Sequence, residues 1–87
     1  MLKGKTSTGF EYEIENDQLD NMELLEALAE ADAGKVLAIV KVCDLLLGKE
    51  QKQRLYDHCR TEKGNVPTAS ITNEILSIIQ GQENGKN

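Results

Sequence analysis

His58 and Cys59 are adjacent, and with Cys43 they are the residues best equipped for metal or nucleophilic chemistry. A structural zinc site takes four ligands, and no second Cys/His pair completes a set here. Adjacent helical residues also diverge by about 100°, so His58 and Cys59 are badly placed to share an ion. The same divergence defeats a base–nucleophile pair, and no third residue stands out to orient the base. Ser70, within Thr68-Ala69-Ser70-Ile71, reads as capping chemistry for a helix. Gly4-Lys5-Thr6 echoes the end of a phosphate-binding loop, without the preceding strand or upstream glycine that such a loop needs. These residues predict no enzyme, no cofactor and no metal site.

The 87 residues carry a net charge of −5, with 39% hydrophobic and only 3% aromatic residues. One domain with one small aliphatic core is expected. Between Glu11 and Asp32 there are nine acidic residues and neither lysine nor arginine. A duplex-binding domain needs a basic footprint, so nucleic acid is disfavoured as the partner. The acidic stretch reads either as a solvated face or as a docking surface for a basic segment. Small acidic helical proteins include the acyl carrier proteins, whose attachment serine sits in Asp-Ser-Leu. The nearest echo here, Asp20-Asn21-Met22, lacks the hydroxyl. No secretory leader opens the chain and the cysteines are isolated, so a cytoplasmic protein without disulfides is expected.

The elements that would position these residues are organised around Val36–Gly48, the longest apolar run. On a helix Val36, Val40, Cys43 and Leu47 share a face, with Ile39, Val42 and Leu46 beside them. The run predicts a buried central helix, too short to span a bilayer. Upstream, Phe10, Tyr12 and Ile14 alternate with glutamates at period two and predict a strand. Lys3–Thr8 is its expected hairpin partner, with a turn near Thr8-Gly9 and lysines opposite glutamates. Asp20 and Glu23 suggest a capping box for a helix from Asn21 to Glu30, with Met22, Leu25, Leu28 and Ala29 inward and Leu24 at the margin. Gly48 is a natural C-cap, followed by a peripheral helix over Lys49–Arg60 with Leu55, Tyr56 and Cys59 as its seam. Pro67 then introduces a last helix whose apolar side is Ile71, Ile75, Leu76, Ile78 and Ile79. The expected fold is α+β, mainly α: an N-terminal two-stranded β-hairpin packed on a compact bundle of about four short helices. Residues 1–80 form this domain and 81–87 a disordered tail.

In order and spacing, several stretches resemble the small tail assembly chaperones of long-tailed phages and prophages of Gram-positive hosts. They are Gly9–Ile14, Asp20–Glu30, Leu46–His58, Lys63–Pro67 and Asn73–Ile75. The resemblance implies a non-enzymatic factor in the host cytoplasm that binds the tape measure protein and keeps it soluble. It also implies contact with the growing tail tube, absence from the finished virion, and a longer form made by ribosomal frameshifting. If the codons of Gly85-Lys86-Asn87 read GGA AAA AAC, they contain a slippery A AAA AAC heptamer. A long helical partner exposes apolar stripes that need cover. The expected contact residues are Leu55 and Tyr56 with Ile71, Ile75 and Ile78, unless the isoleucines pack on Val36–Leu47 instead. Self-association is compatible with this reading, and neither a membrane nor nucleic acid is a partner. The alternatives are a small phage-encoded transcriptional regulator or antirepressor, and a structural tail-completion subunit. Against the regulator, Thr68–Gln80 has no lysine or arginine for DNA contacts.

Overall fold

The structure, a computed structural model, describes residues 2–84. Strands β1 (Leu2–Lys5) and β2 (Glu11–Ile14) open the chain as an antiparallel hairpin, followed by helices α1 (Asn16–Leu19), α2 (Met22–Asp32), α3 (Ala38–Cys59) and α4 (Thr68–Asn84). The fold is α+β, mainly α, with the ribbon laid on the helices. None of the described helices is long and apolar enough to cross a membrane.

The ribbon follows its period-two pattern. Lys3 pairs with Glu13 and Lys5 with Glu11 in the strand register, and their side chains form exposed ion pairs. Phe10, Tyr12 and Ile14 all face inward and are buried. Gly9, at φ +93°, closes the turn, where its N–H donates to Thr6 O at 3.0 Å. The outer edge of β2 is closed by α3. Gln51 accepts from Glu13 N–H at 2.8 Å and donates to Glu13 O at 2.7 Å, as a neighbouring strand would. Arg54 donates to Glu11 O at 2.9 Å and lies over the Phe10 ring.

The segment expected to be a plain connection contains α1, where Gln18 Oε1 accepts from Glu15 N–H at 2.7 Å. Asp20 ends α1, and the cap of α2 falls one residue later, with Asn21 Oδ1 accepting from Glu23 N–H at 3.0 Å. Its buried side chains are Leu24 and Ala27, while Met22, Leu25 and Ala29 face outward. Of the expected inward stripe only Leu28 packs against the core. The other three are turned away from it, and the supposed marginal residue, Leu24, is central.

Helix α3 unites the central run with the expected peripheral helix. Gly48 adopts φ 77°, ψ 169° and kinks it without a loop, and Lys52 pairs with Asp44 across the bend. The core face is Ile39, Val42, Cys43, Leu46 and Leu47, joined after the kink by Leu55. Val36 lies before the helix and Val40 on its outer side, so both are exposed against expectation. The run is buried over its middle and C-terminal part only. After α3, Thr61 N–H donates to Asn65 O at 2.7 Å in the turn leading to Pro67 and α4. Helix α4 does not stop at Gly81 but continues to Asn84. A Cβ at Gly81 would lie 3.2 Å from Tyr12 Oη, so glycine gives the helix room to pass the ribbon. Of the expected tail, residues 81–84 are helical, and 85–87, with the possible frameshift site, lie outside the described residues.

Candidate functional site

Two features of the molecule are candidates: a polar cluster under the ribbon turn and an exposed apolar face. The cluster joins three elements. Glu74, on α4, is only 3% exposed, since it lies between Ile71 and Ile75 on the inward side. An ionisable group there requires partners, and the turn supplies them. Thr6 Oγ1 donates to Glu74 Oε1 at 2.8 Å, and Thr8 Oγ1 donates to Glu74 Oε2 at 2.9 Å. Thr6 Oγ1 also accepts from Phe10 N–H at 3.1 Å. His58 Nε2 stands 2.9 Å from Thr8 Oγ1.

A hydroxyl between an imidazole and a carboxyl has the ingredients of a nucleophile, and the direction of its hydrogen bonds decides its role. Thr8 has one hydroxyl proton, and that proton points to Glu74. With that proton engaged by Glu74 Oε2, Thr8 can only accept from His58, in the tautomer that carries a proton on Nε2, whereas an activated nucleophile would donate to the imidazole. In this arrangement the cluster holds the ribbon turn against α3 and α4. The sequence did carry one signal for it: a glutamate embedded in the Ile71–Ile78 stripe.

The other chemistry-bearing residues are apart or buried. Burial pushes the Cys43 thiol up to about 11 and raises Cys59 as well, with Glu74 adding to the effect at Cys59. Both cysteines are free thiols. Among the described residues no group of three or more His, Cys, Asp or Glu side chains could hold a metal ion. The Lys52 ammonium is held above its usual range by its hydrogen bond to Asp44.

The contact residues expected from sequence are mostly internal. Leu55, Ile71, Ile75 and Ile78 are all buried in the core, against the ribbon and the central part of α3. An aliphatic core in a chain this small draws in each isoleucine stripe that reaches it, leaving none for a groove. Tyr56 alone of the five is partly open, with Lys52 near its ring, and burial raises its phenol.

The exposed apolar surface lies elsewhere. Of the six large exposed apolar residues among the described ones, five fall between Met22 and Val40, and the sixth is Leu76. Met22 is 70% and Leu25 59% exposed, and with Ala29 they follow helical spacing along the outer face of α2. Beside them stand Glu23, Glu26 and Glu30, all exposed. Val36 and Leu37 project at the turn that follows α2. From the sequence alone, Met22, Leu25, Val36 and Val40 are expected in the interior and Leu76 on the apolar side of the last helix. Comparison with protein-family models, curated proteins and solved structures found no match.

Proposed function

We propose that this chain is a phage or prophage tail assembly chaperone. In this reading it binds the tape measure protein, keeps it soluble in the bacterial cytoplasm and promotes assembly of the tail tube around it, without catalysis. The observation that carries the reading is the ordered set of resembling stretches from Gly9 to Ile75. The fold lends physical support. An acidic domain of this size, with apolar side chains left on one helical arm, is suited to covering the apolar stripe of a longer helix. Its charge would keep the complex dispersed. The test is co-expression with the tape measure protein encoded by the same phage. The tape measure should move from the insoluble to the soluble fraction and co-purify with the chain. Unchanged solubility with no recovered complex would sink the reading. Mass spectrometry of purified particles adds a second check, because a chaperone is missing from them and a tail-completion subunit is not.

A further inference from the structure

Helix α2 is apolar on two opposite sides, and only one of them is used. Leu24 and Ala27 bury themselves in the core, while Met22, Leu25 and Ala29 form a stripe on the far side. A short surface helix needs one apolar face to hold it in place. The second face leaves large side chains mostly in water. On the helix wheel Glu23, Glu26 and Glu30 run along one border of this stripe. Lys35 pairs with Glu30 at 3.8 Å, and no ion pair engages Glu23 or Glu26 among the described residues. We propose that the outer face of α2, with Met22, Leu25 and Ala29 bordered by Glu23, Glu26 and Glu30, docks a basic amphipathic helix of a partner protein.

Charge selects this occupant over a second copy of the chain. Between Glu11 and Asp32 there is no lysine or arginine. Two α2 faces brought together, parallel or antiparallel, would therefore gather acidic side chains with no cation from either helix, and Lys35 beyond it is already paired with Glu30. A partner with leucine-like residues on one side and lysine or arginine beside them satisfies both features at once. The apolar stripe would supply affinity, and the glutamates would set orientation and speed association. Val36 and Leu37, at the turn beyond α2, extend the apolar surface toward one end. The identification of the partner with the tape measure rests on the chaperone reading, whereas the surface and its chemistry do not.

The probe is a fluorescently labelled 18-residue peptide with leucine and lysine in helical repeat, its acidic leucine–glutamate counterpart serving as control. Binding is read by anisotropy at low and at physiological salt. The basic peptide should bind the intact chain and the acidic one should not. Leu25→Ser should weaken binding at least tenfold, and the Glu23→Lys/Glu26→Lys pair should weaken it at low salt. Leu76→Ser, which alters the exposed apolar residue on α4, should leave it unchanged. Circular dichroism should show each variant folded, since the altered side chains are exposed. Equal binding of both peptides, or full affinity in Leu25→Ser, would overturn the proposal. A dimer that dissociates on Leu25→Ser, seen by sedimentation equilibrium, would overturn it in favour of a second copy. Co-expression separates the two readings: a tape measure solubilised equally by the intact chain and by Leu25→Ser refutes the surface and leaves the chaperone standing. Peptide binding at α2 with no effect on the tape measure does the reverse.

Discussion

Glu74 shows how one residue can tie a ribbon to a helix bundle. Its two oxygens collect the hydroxyl protons of Thr6 and Thr8, and burial removes water as a substitute. Glu74→Ala leaves the buried Thr6 hydroxyl without its carboxylate acceptor, whereas Thr8 lies at the surface, and should cost about 1–3 kcal/mol by urea denaturation. Glu74→Gln, which keeps one acceptor oxygen, should cost clearly less. Equal losses for the two variants would mean that packing, and not the hydrogen bonds, anchors the turn. Cys43 makes a separate residue-scale prediction. Its thiol is raised from 9.0 to about 11 by burial, so the folded chain keeps a proton that the unfolded chain releases. Stability from such a group is complete below the unfolded value and is lost as pH rises through the folded one. The loss should amount to about 2–3 kcal/mol between about pH 9 and pH 11. Cys59, Tyr56 and Lys52 are raised too and act with the same sign. The contribution of Cys43 is therefore read as a difference: urea midpoints of Cys43→Ala should decline less steeply over this window than those of the parent chain. Parallel declines would refute it.

At the scale of elements, the ribbon was legible in the sequence and the setting of α2 was not. Alternation of Phe10, Tyr12 and Ile14 with glutamates admits only one buried face, so the orientation of the strand and the lysines facing its glutamates followed directly. Its partner β1, however, ends at Lys5 and not at Thr8, which lies in the turn. Helix α2 offers two apolar stripes, and helical periodicity alone gives no means of choosing between Leu24/Ala27 and Met22/Leu25/Ala29. The choice is made by contacts distant in sequence. Helix α1 takes up the chain before Asn21, so α2 is capped one residue later than expected, while the packing of Leu24, Ala27 and Leu28 on the core sets the face that turns inward. The same limit explains the expected contact residues: an isoleucine stripe on α4 reads alike whether it meets a partner or the chain's own core. Gly48, by contrast, was legible as a helix breaker, and its non-helical backbone divides α3 into two helical segments that meet at a kink. Its φ of 77° with ψ of 169° belongs to a region nearly reserved for glycine. Gly48→Ala should therefore cost about 1–3 kcal/mol and disturb the crossing of Lys52 to Asp44. An unchanged urea midpoint would show that α3 can straighten without loss.

For the whole molecule, the question is which apolar residues hold the fold and which are left for other uses. A chain of this length has a total stability of about 4–13 kcal/mol. Leu46 is fully buried among side chains from the ribbon and the helices. Leu46→Asp removes several kcal/mol of packing and puts a carboxylate where nothing can pair with it. The sum matches or exceeds the total, so this variant should be unfolded by circular dichroism. Met22 and Leu25 are equally apolar but mostly exposed, and they make the opposite prediction. Met22→Ser with Leu25→Ser should shift stability by no more than about 1 kcal/mol, because both side chains are mostly exposed in the folded chain. If the double variant is instead strongly destabilised, the outer face of α2 belongs to the fold and has nothing to spare for a partner. If it is as stable as the parent, the fold does not need the apolar surface on α2, and the peptide experiment tests whether a basic amphipathic helix can cover it.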